Sequence, residues 1–160
     1  MSRQTARITT ESPEETCALA RVLGPRLAPG DVLLLNGEVG AGKTHFARCL
    51  IQGLLDEPED VPSPTYTLVQ NYPGPAGEIW HADLYRLTDT SEIEELGLVD
   101  AFETAICLVE WPDRLGELTP PAALSLTLEA PAGDDSRVLI FEWLDPAWTP
   151  RVKELADVGS

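Results

Sequence analysis

At 160 residues the chain has the length of one domain, enough to bury most of its apolar surface in a single core, and 43% hydrophobic with 24% charged residues is a globular composition. It contains no run of about 18 apolar residues, so no membrane span is expected, and Met1 to Arg7 lacks the apolar core of a signal peptide. Eleven basic against 27 acidic residues give a net charge of −16, which argues against a basic face for holding nucleic acid directly. The same acidity permits a basic protein partner, although an acidic surface is commonly just a solvated one.

Taken in chain order, Ala6 to Thr10 can open as a short strand. Ser12-Pro13-Glu14-Glu15 has the form of a capping box, with Ser12 at N-cap, proline at N1 and glutamate at N3. The helix it starts carries Ala18, Leu19, Val22 and Leu23 and stops at Gly24-Pro25. The run Val32-Leu33-Leu34-Leu35 is apolar at every position, as expected of a strand buried on both faces of a parallel sheet. A glycine-rich stretch follows, then Phe46, Ala47, Leu50, Ile51 and Leu54 at helical spacing.

Asp56 to Pro64 reads as an acidic, proline-containing loop, and Tyr66 to Tyr72 with Ile79 to Leu87 as a hairpin turned by Pro73 to Gly77. Thr90 or Ser91 caps a short acidic helix ending near Gly97. A further buried strand is Ile106 to Val109, closed by Glu110-Trp111-Pro112. Leu124 to Leu128 and Val138 to Trp143 make a second hairpin about Gly133-Asp134-Asp135. Buried strands mixed with helices predict an α/β domain over residues 1–145 whose central sheet is part parallel and part antiparallel. Residues 146–160 are expected to be a loosely attached tail. Cys17, Cys49 and Cys107 lack the paired spacing of a zinc site and are expected to be reduced, buried thiols of a cytoplasmic protein.

Gly37-Glu38-Val39-Gly40-Ala41-Gly42-Lys43-Thr44 fits the phosphate-binding pattern G-x-x-x-x-G-K-[ST] in full, with a strand before it and a helix after. Glycines at 37, 40 and 42 let the backbone turn several N–H groups toward one anion, and the helix N-terminus adds its own donors and partial positive charge. Lys43 is placed to reach the β- and γ-phosphates of a nucleotide, and the Thr44 hydroxyl to bind Mg²⁺. The chain has no N/T-K-x-D stretch for guanine, no transporter-type LSGG signature and no arginine-rich lid, since Arg114, Arg137 and Arg151 are scattered. ATP is therefore the expected nucleotide.

Ser63-Pro64-Thr65-Tyr66-Thr67 stands where a switch segment would meet the γ-phosphate, magnesium or attacking water; a proline turn starting a strand is the alternative. Asp83, in His81-Ala82-Asp83-Leu84-Tyr85-Arg86, is a candidate for positioning metal or water, or an ordinary strand-end aspartate. Glu110 ends an apolar strand, where a carboxylate can orient magnesium or its water. Trp111 beside it packs near the nucleotide or fills the core.

The set G-E-V-G-A-G-K-T, S-P-T-Y-T-L-V, H-A-D-L-Y-R-L, E-L-G-L-V-D-A-F and I-C-L-V-E-W-P, in this order, resembles the bacterial TsaE (YjeE) family over roughly residues 30 to 115. These are small ATPases needed for the threonylcarbamoyl modification of adenosine 37 in tRNAs reading codons beginning with A. The resemblance implies that Lys43 and Thr44 serve phosphate and magnesium, that Asp83 and Glu110 serve the metal and its water, and that Thr65 belongs to a mobile switch. His45 stands where the family often has a second threonine, which removes a hydroxyl near the α-phosphate while leaving the backbone N–H. By the same resemblance Glu11 and Arg137 lie near the adenine. The family's transfer chemistry belongs to the partners TsaB and TsaD, and ATP hydrolysis resets their complex, so tRNA is met only through the partners and no membrane is involved. Two other readings stay open: a free-standing kinase acting on a small acceptor, and a nucleotide-dependent binding module in which hydrolysis is incidental.

Overall fold

In the computed structural model, residues 3–38, 40–55, 69–74, 77–85, 90–131 and 135–159 are described. Seven strands form one sheet in the order β1-β7-β6-β2-β5-β4-β3: β1 Gln4–Thr10, β2 Val32–Asn36, β3 Val69–Pro73, β4 Glu78–Asp83, β5 Ile106–Glu110, β6 Leu124–Glu129 and β7 Arg137–Trp143. β2 lies parallel to both β5 and β6, and β4 parallel to β5, whereas β1–β7, β6–β7 and β3–β4 pair antiparallel. The single α/β domain with a mixed sheet is as the sequence predicts, and both hairpins form, but β4 ends at Asp83 rather than Leu87, with Tyr85 in a turn; residues 66–68 and 86–87 of the expected strands lie outside the described residues. The expected loop from Asp56 to Pro64 lies outside the described residues.

Two apolar cores explain the continuous run in β2. Leu33 and Leu35 pack with α1 (Pro13–Leu23) and α2 (Lys43–Leu54) through Leu19, Leu23, Phe46 and Leu50. Val32 and Leu34 point the other way, toward α3 (Thr90–Glu95) and α4 (Leu98–Thr104) through Ile93, Leu98 and Phe102. Alternation along a strand puts successive side chains on opposite faces, so a strand with helices on both sides must be apolar throughout. The same alternation sends Ile79 and Leu108 to the α1–α2 face and carries His81, Asp83 and Glu110 with them. The helix α4 was not expected; Gly97, at φ 78°, turns the chain between it and α3.

Ser12 caps α1, accepting from the Glu15 amide at 3.2 Å. The Glu15 carboxylate reaches back one residue further than the usual reciprocal box, to the Glu11 amide at 2.5 Å.

The segment from Pro146 departs from the loose tail expected. A turn of 3₁₀ helix, Pro146–Trp148, leads into α5 (Thr149–Gly159), and Trp148, Val152 and Leu155 are buried in the core shared with α1 and β1. Spacing of four and then three residues puts those side chains on one helical face. Trp148 Nε1 donates to Ala122 O at 2.8 Å, Arg151 pairs with Asp31 at 2.7 Å and Arg26 pairs with Glu154.

The cysteines also depart from expectation. α1 and α2 pack side by side, which brings the Cα atoms of Cys17 and Cys49 to 5.3 Å, and the two sulfurs are joined in a disulfide across 32 positions of sequence. Cys107 is the buried free thiol expected, and desolvation followed by the charge of Glu78 pushes its pKa up to about 12. Among the described residues no helix is long and apolar enough to cross a membrane.

Candidate functional site

The glycine-rich loop leaves the carboxyl end of β2 at the middle of the sheet, the edge at which ligands meet open α/β folds. Gly37 (φ 141°), Gly40 (φ 85°) and Gly42 (φ 107°) all take backbone angles that side chains rarely adopt. At Gly37 a Cβ would also sit 2.7 Å from Leu128 O on β6, so only glycine fits between the loop and that strand. Gly42 is the N-cap of α2 and supplies no side-chain acceptor, unlike Ser12 on α1. The first-turn N–H groups of α2 therefore remain available to an anion, together with the positive end of the helix.

Lys43 is 5% exposed; its Nζ donates to Gly37 O at 2.5 Å and Glu38 O at 3.1 Å and lies 4.1 Å from the centroid of the Trp111 ring. Burial lowers its pKa, and the charges of Glu110 and Asp83 oppose that shift. Trp111 holds this position in the left-handed region, φ 57° and ψ 53°, with the Tyr85 ring 4.9 Å away. Such a conformation is uncommon for a bulky residue. The sequence left Trp111 between nucleotide and core; it lies over the lysine ammonium, beside the loop.

Thr44 Oγ1 donates to Glu110 Oε1 at 2.7 Å, and His81 Nε2 stands 2.6 Å from Glu110 Oε2. Glu110 and His81 are 2% and 0% exposed, while Thr44 at the other end of the line is part-buried. Asp83 pairs in register with Glu110 across β4 and β5, and its Oδ1 accepts from the Tyr85 amide at 3.0 Å. Desolvation is the main cause raising the Asp83 pKa, opposed by the Tyr85 amide and reinforced by the Glu110 charge.

Of the residues singled out from sequence, Gly37, Glu38, Gly40, Ala41, Gly42, Lys43, Thr44, Asp83 and Glu110 thus gather at one end of the sheet. Gly37, Glu38, Gly40, Ala41 and Trp111 line a cavity of about 630 Å³ together with Leu128. Val39 and Thr65, with the rest of the Ser63-to-Thr67 segment, lie outside the described residues. Arg137 Nε donates to Ala41 O at 2.9 Å, so this guanidinium grips the loop backbone. It also borders a second cavity of about 190 Å³, with Pro13, Thr16, Gly42, His45 and Asp135. His45 Nε2 is 3.1 Å from Pro13 O. Glu11 stands outside the described residues lining that cavity, its amide tied to Glu15. His81 was not singled out, although it lies two positions before Asp83 and so on the same strand face.

The donor set suits a hard cation held jointly with phosphate: one hydroxyl and one or two carboxylates. Among the described residues no group of three or more His, Cys, Asp or Glu could hold a metal by itself.

A family model described as "Threonylcarbamoyl adenosine biosynthesis protein TsaE" matches residues 10–139. The chain belongs to the TsaE family. Relatives named tRNA threonylcarbamoyladenosine biosynthesis protein TsaE include that of Rickettsia conorii, 42% identical over 76% of this chain and 70% of the relative. The TsaE of Bacillus subtilis is 40% identical, with 82% of each chain covered, and that of Mycobacterium bovis is 34% identical over 81% of this chain and 82% of its own. The crystal structure of Bacillus subtilis YdiB superposes with a TM-score of 0.78 at 30% identity, covering 98% of this chain and 97% of that one. The TsaE match starts at residue 10 and ends at 139, so it takes in the glycine-rich loop, Asp83, Glu110 and Arg137, while α5 lies beyond it.

Proposed function

We propose that this TsaE-family chain binds Mg-ATP at the loop from Gly37 to Thr44 and hydrolyses it as an accessory subunit of tRNA threonylcarbamoyladenosine synthesis. The single observation that carries the reading is the junction of Lys43, Thr44 and Glu110 at the mouth of a glycine loop that no side chain caps. Loop amides and Lys43 would hold the phosphates, while Thr44 and Glu110, with Asp83 beside them, would hold magnesium. When bound, the cation neutralises charge developing on the phosphoryl oxygens. Glu110 is kept ready for this by two hydrogen bonds, and burial lets its charge act in a medium less screening than water. Thr65 is proposed as a switch residue. Glu11 and Arg137 are proposed to lie near the adenine, and the His45 amide near the α-phosphate.

The proposed partners are TsaD and TsaB, whose complex the hydrolysis would cycle, in the cytoplasm, with tRNA contacted by the partners. The net charge of −16 supports this division, because it leaves little basic surface for tRNA. The test is ATP turnover by the chain alone, with TsaD and TsaB, and with both plus tRNA, at low and high salt. Stimulation by the partners that weakens as salt is raised is expected. Full turnover by the isolated chain, indifferent to the partners, would sink the accessory-subunit reading.

A further inference from the structure

Glu110 is the acceptor of two hydrogen bonds, and each fixes a different oxygen. Thr44 holds Oε1 from α2, and His81 meets Oε2 from the neighbouring strand β4. A carboxylate without its proton can only accept, and with such a partner the imidazole carries its hydrogen on Nε2. His81 is wholly buried, and its Nδ1 has no hydrogen-bond partner among the described residues. A histidine serving only to fill this space would gain nothing from its second nitrogen and would still incur the desolvation cost of both. An apolar residue of similar volume would pack there without that cost. Among the described residues, the interaction that accounts for a histidine here is the bond to Glu110.

We infer that His81 is a positioning residue for Glu110: its Nε2–H fixes the carboxylate rotamer, so that Oε1 is held at Thr44 and the charge stays directed at the phosphate loop. His81 occupies a diagonal position on the adjacent parallel strand, opposite Leu108, whereas Glu110 lies opposite Asp83. That offset lets the ring reach across the strand pair to the carboxylate. Glu110 would otherwise keep one buried oxygen unpaired, with nothing to hold its carboxylate in one rotamer.

This inference rests on the Mg-ATP reading above, and the experiment separates the two. His81→Gln places an amide nitrogen where Nε2 stands, His81→Asn carries the same amide one bond shorter and out of reach, and His81→Leu removes the donor. Turnover at saturating ATP is measured for each with the partners present. ATP affinity is measured by calorimetry with and without Mg²⁺, and folding by thermal melting. Gln is expected to retain turnover within about five-fold, with Asn and Leu at least ten-fold down, while Mg²⁺-free ATP affinity stays within about three-fold in all. Should Leu fail to fold, the Gln and Asn pair decides, since they share chemistry and differ in reach. If Gln is as impaired as Asn, if all variants turn over like the parent, or if losses simply follow melting temperature, His81 is a core residue and the inference is wrong. If the parent hydrolyses no ATP, the ATPase reading falls by itself. The same order, Gln above Asn and Leu, must then show in the gain of ATP affinity on adding Mg²⁺, and its absence overturns the positioning role.

Discussion

Thr44 Oγ1 and Glu110 Oε1 are 2.7 Å apart, joining the first turn of α2 to the last residue of β5. The two are 66 positions apart in the chain, and their meeting depends on a parallel strand pair that ends level with the start of a helix. The bond couples the glycine loop to the acidic end of the sheet, and the consequences of disturbing either side can be stated.

Lys43→Ala removes the buried ammonium that donates to Gly37 O and Glu38 O and lies over Trp111. Losing a charge-assisted contact to phosphate should cost at least about 1.5 kcal/mol, or ten-fold or more in Mg-ATP affinity. Calorimetry is the check, and an affinity within about two-fold of the parent would mean that nucleotide binds elsewhere.

Asp83→Asn should raise the melting temperature at neutral pH while lowering turnover. Desolvation and the Glu110 charge hold the Asp83 pKa above its ordinary 3.8. As pH rises past that value, the folded chain keeps a proton that the unfolded chain has released, so stability falls until the folded carboxyl ionises too. The penalty therefore grows as pH rises above 3.8 and is complete once the folded carboxyl has ionised, and asparagine removes it. Melting curves should separate at neutral pH and converge as pH falls below 3.8. Lys43 acts in the same sense at the other extreme: its lowered pKa means that stability is recovered only as pH climbs toward 10.5. A melting point unchanged by Asp83→Asn at pH 7 would show that Asp83 carries no such penalty.

Arg137→Ala frees the Ala41 carbonyl that the guanidinium holds at 2.9 Å. We expect a stability loss of about 1 kcal/mol, as for one part-buried hydrogen bond, and Mg-ATP affinity reduced by about three- to ten-fold as the loop loosens. Arg137→Lys should not restore it, because lysine lacks the planar fork. Parent-like affinity in both variants would show that the loop keeps its shape without this grip.

Cys17→Ser opens the link between α1 and α2. For a closed loop of 32 residues the chain-entropy model gives about 3–4 kcal/mol. Urea unfolding of the parent with a thiol reductant should fall to the level of the serine variant without it. Coincident curves for parent and variant under non-reducing conditions would mean that the pair contributes nothing in solution.

How much of this was legible beforehand follows the range of the interactions. The four apolar residues from Val32 and the S-P-E-E capping box report on neighbours within a few positions, and the structure agrees with both. Trp148, Val152 and Leu155 have helical spacing too, but the surface they cover is assembled from β1 and α1, far from them in sequence. Pro146 and Pro150 stand in the first positions of the 3₁₀ turn and of α5, where proline is compatible with helix. The Cys17–Cys49 link and the Arg137 grip on Ala41 depend on contacts across 32 and 96 positions, and periodicity carries no signal of that kind. His81 differs, because a histidine two residues before an aspartate in a short buried strand does place an imidazole on the functional face.

One further consequence follows from the placement of β2 between β5 and β6. Leu33–Leu35 pair with β5 on one edge and β6 on the other and are buried, so their amides are expected to meet solvent only when the sheet itself opens. In hydrogen–deuterium exchange this strand should belong to the slowest-exchanging part of the chain. Gly37 follows it directly, so the glycine loop, proposed above to admit and release a nucleotide, is anchored to the backbone that exchanges last.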